Sequence, residues 1–202
     1  MNNKPQIFFV HGAESFRTYT DYLSYLKNRE VSLGKWVNWR DAYLDKHLGR
    51  DFEISRPRMP NPDNAQYSEW KINFENYIKL LRDGVILIGV SMGGIFLTKY
   101  LSENKFPKKI SALIVVATPY DGSLAGEYFG GGFKLKSDIS LIEKNCKNVN
   151  LFFSSNDEVV PLIHAEKYKS KLKQAKIFIL DDKNGHFRVE TFPEIVKLVK
   201  SL

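Results

Sequence analysis

Residues 85–94 read Val85-Ile-Leu-Ile-Gly89-Val90-Ser91-Met92-Gly93-Gly94. The run up to Val90 is continuously apolar and does not alternate, which suits a strand buried on both faces. It passes directly into Gly89-Val90-Ser91-Met92-Gly93, a G-x-S-x-G pentapeptide, and then into a helical stretch that ends near Asn104. The pentapeptide alone is a weak signal. A strand before it and a helix after it are the setting that a nucleophile elbow requires. In such a turn Ser91 takes a strained backbone position. Gly89 and Gly93, two residues to either side, must be small because the strand and helix backbones nearly touch. The plainer reading is a tight glycine turn with a bystander serine. Ser123, in Gly122-Ser-Leu-Ala-Gly126, is a poorer candidate: no strand immediately precedes it, and its glycine spacing is wrong.

Working outward, similar apolar runs occur at Gln6–Val10, more weakly at Asp51–Ser55, and at Ile110–Ala117, Val149–Phe153 and Lys176–Leu180. Between them, apolar residues recur at helical spacing: Phe16, Tyr19, Leu23, Leu26; Trp70, Phe74, Tyr77, Leu81; Leu162, Ala165, Tyr168, Leu172; and Phe192, Ile195, Val196, Val199. Thr191 with Glu194, and Ser140 with Glu143, have the spacing of capping boxes. Strand and helix in alternation predict an α/β fold. The expected architecture is a three-layer sandwich, a mostly parallel sheet of about six strands with helices on both faces. Three stretches break the pattern: 31–50, with a short helix expected from Trp39 to Leu48; the proline-bearing loop 56–65; and the glycine- and aromatic-rich 119–136.

A serine hydroxyl needs a base to take its proton and an acid to orient that base. In strand–elbow–helix proteins these follow in the order Ser, acid, His, on loops after later strands. Asp157 follows the strand at 149–153, and His186 follows the strand at 176–180. Glu158 and Asp121 are rival acids. Asp157 leads because it precedes Pro161, which opens the next helix. Among the four histidines, both His47 and His164 fall within helices; His47 reads as a surface residue and His164 as structural. His186 lies on the right loop.

His11-Gly12-Ala13 follows the first strand. Gly12 lets the chain turn so that the Ala13 amide faces the elbow. The Ala13 and Met92 amides then make an oxyanion hole, and His11 holds the loop by hydrogen bonding. An ordinary strand-end turn is the simpler alternative. Glu14, Tyr120, Tyr128, Phe129 and Phe133 are candidates to line the entrance, or else they pack within their own loops.

The composition agrees with this assignment and narrows it. The 202 residues fit a single domain, 1–202, with 43% hydrophobic residues, enough for a core. A lone cysteine, Cys146, excludes a disulfide scaffold. No apolar run approaches the roughly 20 residues of a membrane span, and no signal peptide is legible. A cytoplasmic protein is expected. The net charge of +7 comes from lysines spread along the chain, which read as a solvated surface and not as a nucleic-acid interface. No zinc spacing occurs, so neither a metal nor an organic cofactor is expected. The expected partner is a small acyl substrate, with no membrane. A non-catalytic module that binds a protein partner on the same fold is the alternative.

Together, His11-Gly12, Gly89-Val90-Ser91-Met92-Gly93-Gly94, Ser154-Ser-Asn-Asp157-Glu-Val-Val-Pro161 and Asn184-Gly-His186-Phe187 resemble the α/β-hydrolase superfamily over nearly the whole chain. Pro57-Arg-Met-Pro-Asn-Pro62 followed by Trp70, with Phe96-Leu97 and Tyr100-Leu101 after the paired glycines, is similar to the small serine hydrolases of the retinoblastoma-binding-protein-nine type. That resemblance implies a minimal hydrolase without a cap domain, with Ser91, Asp157 and His186 as its triad. Two departures are Val90, where many relatives carry histidine, and the insertion around Trp36 and Trp39.

Overall fold

All six expected strands form in a computed structural model, which describes residues 4–34, 38–122, 130–181 and 183–202. They are β1 (Gln6–Val10), β2 (Glu53–Ser55), β3 (Val85–Val90), β4 (Ile110–Val116), β5 (Val149–Ser154) and β6 (Lys176–Leu180). They make one sheet in the order β2-β1-β3-β4-β5-β6, and every pairing is parallel. The order reverses between β1 and β3. Open α/β sheets bind their ligands at such a switch point, beyond the carboxyl ends of the strands.

Alternate residues of each central strand face opposite sides, because successive side chains in a strand point to opposite faces. Phe8, Val10, Val85, Leu87, Leu113 and Val115 enter one core. Ile7, Phe9, Ile86, Ile88, Val90, Ala112, Ile114 and Val116 enter the other. The first is covered by α3 (Tyr67–Ile78), α4 (Met92–Glu103), α5 (Leu141–Asn145) and α6 (Ile163–Lys171). The second is covered by a π-helical turn (Trp39–Tyr43), α2 (Leu44–Leu48) and α7 (Pro193–Lys200). Trp70 and Trp39 anchor the two layers with no exposed surface. Burying a large side chain of this kind contributes about 3 kcal/mol. Among the described residues no helix is long and apolar enough to cross a membrane.

Three local expectations are corrected. The stretch carrying Tyr19, Leu23 and Leu26 forms α1 (Tyr19–Asn28), yet none of its residues is buried. Its aromatic rings pack on one another and on Phe16, with Phe16 to Tyr25 centroids 5.0 Å apart, and not on the sheet. Its start carries an unforeseen capping box, Thr18 with Asp21. The two expected boxes do not form. Glu194 goes instead to the buried Lys183 (3.0 Å), and α7 starts at Pro193, a ring already set for the first helical turn. Glu143 accepts from the Gln174 amide, and Asp138 takes the Ser140 amide.

Candidate active site

The elbow stands between β3 and α4. Ser91 has φ 51° and ψ −120°, a left-handed conformation forced on a residue with a side chain. The neighbourhood over-determines it. The Ser91 amide donates to Val116 O of β4 (2.9 Å), and Ser91 O accepts from the Gly94 amide (2.9 Å). A Cβ on Gly89 would lie 2.6 Å from Gly93 O, and one on Gly93 would lie 2.3 Å from Val10 O. Both glycines are therefore spacers for the crossing of α4 over β1 and β3.

The loop after β1 arrives from the other side of the switch point. His11 Nε2 accepts from the Met59 amide (2.9 Å), so its Nδ1–H donates to Gly12 O (2.7 Å). His11 is thus a neutral brace and not a proton carrier. The proline loop closes around the same segment: the Glu14 amide donates to Pro62 O, and the Ala65 amide donates to Glu14 O. Trp70 Nε1 donates to Pro60 O (2.7 Å) and fixes that loop from below. Neither the Ala13 nor the Met92 amide has a hydrogen-bond partner among the described residues. Both are left as donors, Ala13 on the cleft lining and Met92 directly after Ser91.

Asp157 and His186 meet after β5 and β6. His186 Nδ1 donates to Asp157 Oδ2 at 2.8 Å, while Asp157 Oδ1 accepts from the Val159 (2.9 Å) and Val160 (2.8 Å) amides. The Asp157 side chain has no exposed surface. With Nδ1 engaged as donor, Nε2 is the nitrogen left to take a proton. His186 occupies the middle of a tight turn closed by the Phe187 amide on Gly185 O (2.9 Å). Phe187, itself at φ 52°, is sunk in the second core and fixes the turn. Asn156 Oδ1 accepts from the Gly185 amide, and Glu158 pairs with Arg188 (2.6 Å), so two further contacts staple the acid loop to the histidine loop. The rival acids are both engaged elsewhere: Glu158 with Arg188, and Asp121 with Lys167 (2.7 Å). Buried His164 accepts from the Tyr120 amide. Burial pushes the Cys146 thiol up to about 12, so it is no competing nucleophile at neutral pH.

Ser91 and His186 border one cleft of about 400 Å³, with Gly12, Ala13 and Glu14. No hydrogen bond joins the Ser91 hydroxyl to His186; such contacts commonly tighten only when substrate binds. The rest of the lining departs from expectation. Tyr25, Trp39, Arg40, Asp63 and Arg188 form it. Phe133 is fully buried against Trp70 and Tyr67, and Tyr120 packs edge-on to Tyr168, because both rings complete the first core. Tyr128, Phe129 and Trp36 lie outside the described residues. Val90, in the position where histidine is frequent in relatives, is buried in the second core and also borders the cleft. A larger groove of about 590 Å³ adjoins through Pro62 and Asp63 and contains none of the reacting candidates. The missed lining had no pattern in the sequence, since it gathers residues from α1, the π-helical turn and two separate loops.

Glu14 still reaches solvent, but the crowded cleft walls raise its carboxyl pKa by desolvation; His186 opposes the rise and Asp63 adds to it. A raised carboxylate value means that the fold holds the proton more tightly than the unfolded chain does. Stability is then lost as pH rises from the unfolded value, about 4.3, through the folded one. Glu14→Gln removes that loss. It is expected to unfold at a higher temperature than wild type at neutral pH and at the same temperature near pH 3, as read by thermal melts.

A profile of the family described as "Lecithin:cholesterol acyltransferase" matches residues 11–191. No curated protein matches the sequence. Among solved structures, the ydeN gene product of B. subtilis superposes with a TM-score of 0.76 at 19% identity, covering 98% of each chain. Alpha/beta hydrolase domain-containing protein 10 from mouse gives 0.64 at 17% identity, over 100% of this chain and 89% of that one. Est1E from Butyrivibrio proteoclasticus gives 0.62 at 16%, over 100% and 87%. These likenesses establish the α/β-hydrolase fold.

Proposed function

The chain belongs to the lecithin:cholesterol acyltransferase family, and from that premise we propose that it is a single-domain serine hydrolase of small esters, thioesters or amides. One observation carries this reading: the 2.8 Å Asp157–His186 pair, which leaves Nε2 free beside the cleft that Ser91 borders from its strained elbow. In the first step His186 Nε2 takes the Ser91 hydroxyl proton as Oγ attacks the acyl carbon. The carbonyl electron pair moves to oxygen, and the Ala13 and Met92 amides hold the oxyanion, an effect worth about 3 kcal/mol per donor. Collapse breaks the bond to the leaving group, which receives the proton from His186. Water then attacks the acyl-enzyme, giving its proton to the same nitrogen, and Ser91 is regenerated. Asp157 fixes the tautomer and stabilises the imidazolium.

The family description names an acyl transfer, which shares the acyl-enzyme and differs only in the acceptor. Water is preferred here because the cleft is open and of modest size. The narrower likeness to the retinoblastoma-binding-protein-nine-type hydrolases and a cytoplasmic setting belong to the same reading. The test is a panel of p-nitrophenyl esters of graded acyl length, run on wild type and on Asp157→Asn. Hydrolysis is expected, with kcat in the variant lowered by about 10²–10⁴-fold, because an amide in place of the carboxylate favours the wrong tautomer. Equal rates for the two proteins contradict the assignment of Asp157.

A further inference from the structure

The charged groups around the cleft are not all paired. Asp63 is matched by Arg29 (3.0 Å), Arg188 by Glu158 (2.6 Å) and His186 by Asp157 (2.8 Å). Glu14 and Arg40 are the charged lining residues that make no ion pair among the described residues. Arg40 is the more unusual of the two. It rises from the π-helical turn, a rare conformation that often marks functional sites. Its base is rigid: the Arg40 amide and Nε both donate to Asn38 Oδ1 (2.9 and 3.1 Å), and Arg40 O accepts from Arg56 Nε (2.8 Å). Asn38 is held in turn by Asp41, at 3.0 Å. The adjacent Trp39 amide donates to Val189 O (3.1 Å), which ties this wall to the histidine loop. The two terminal guanidinium nitrogens make no hydrogen bond among the described residues, and they are not sealed from solvent. A half-buried, desolvated cation with a fixed stem and open donors is matched best by a planar carboxylate taken in two parallel bonds.

We propose that Arg40 is the substrate-recognition residue of this cleft, and that the chain acts on acyl compounds bearing a second, free carboxylate. Glu14 lines the same cleft, but no ion pair joins it to Arg40, so the guanidinium keeps its open donors. The inference rests on the serine-hydrolase reading for its activity arm, and a binding arm stands apart from it.

The activity arm compares kcat/KM for p-nitrophenyl hemiglutarate and for 4-carboxyphenyl valerate with that for p-nitrophenyl valerate. The first places the carboxylate on the acyl side, and the second on the leaving group. Wild type is expected to favour one carboxylated ester, relative to its own uncatalysed rate, by about tenfold or more. Arg40→Met is expected to erase that ratio and Arg40→Lys to keep part of it, as loss of bidentate geometry but not of charge requires. The binding arm titrates glutarate into Ser91→Ala by calorimetry and repeats it with Arg40→Met added; binding that disappears in the second protein is the expected result. A preference for neutral valerate in wild type, a carboxylate preference that survives Arg40→Met, or glutarate binding indifferent to Arg40 overturns the proposal. Absence of all ester hydrolysis with Arg40-dependent glutarate binding contradicts the hydrolase reading and leaves the carboxylate site supported.

Discussion

Ser91→Ala is expected to lower kcat toward p-nitrophenyl esters by about 10³-fold or more, with the melting temperature changed little. The size follows from the role: without Oγ no acyl-enzyme forms, and only the amide donors and the cleft remain to help attack by water. The neutral effect on folding follows from geometry. Alanine keeps the same Cβ at φ 51°, so the elbow gains no strain, and the hydroxyl makes no hydrogen bond among the described residues that its removal would break. Stopped or continuous assay of nitrophenolate release, beside a thermal melt, reads both quantities. A variant that retains more than about a tenth of the wild-type kcat contradicts the role given to Ser91.

Gly93→Ala is expected to be the single-methyl change that strikes the elbow hardest, because its clash is with backbone at the end of β1. In a helix such a replacement ordinarily stabilises by about 1 kcal/mol. Here the added carbon would sit 2.3 Å from Val10 O and 2.5 Å from His11 O. Both are backbone atoms at the end of β1, where Val10 is in register with Gly89. Relief requires α4 to lift away from β1, which opens the first core and moves the Ala13 and Met92 amides apart. A net destabilisation of more than about 2 kcal/mol is expected. In a chain of this size that lowers Tm by about 5 °C or more. Activity should fall with it even below the melt, because the two amides proposed to hold the oxyanion lose their spacing. An unchanged or raised Tm contradicts the close crossing.

The sheet was legible because its signal is local. Val85–Val90 and Ile110–Val116 are apolar without interruption, and central parallel strands must be, being covered on both faces. The positions of Ser91, Asp157 and His186 just beyond strand ends were legible for a related reason: the parallel sheet brings the carboxyl ends of all its strands to one side. A residue immediately after an apolar run is therefore placed by topology alone. The cleft walls were not legible. Trp39, Arg40, Asp63 and Arg188 come from a π-helical turn, a proline loop and the far side of the histidine turn, and their meeting depends on tertiary contacts such as Trp39 to Val189. The amphipathic period of α1 misled for a physical reason. Its aromatic face satisfies itself by ring packing with Phe16 beside the cleft, so the same spacing that elsewhere marks a core helix produces none here. Glu194 and Glu143 show the same competition on a smaller scale. Each had the spacing for a cap, and each was taken by a tertiary partner.

The most direct test of a serine nucleophile poised by Asp157 and His186 is reaction of the folded protein with a fluorophosphonate, followed by intact mass and peptide mapping. The phosphorus–fluorine bond breaks as Ser91 Oγ bonds to phosphorus, so one adduct per chain is predicted, on the peptide containing Ser91, with none in Ser91→Ala and slow formation in His186→Ala. An unmodified wild-type protein, or an adduct on any other residue, contradicts the account.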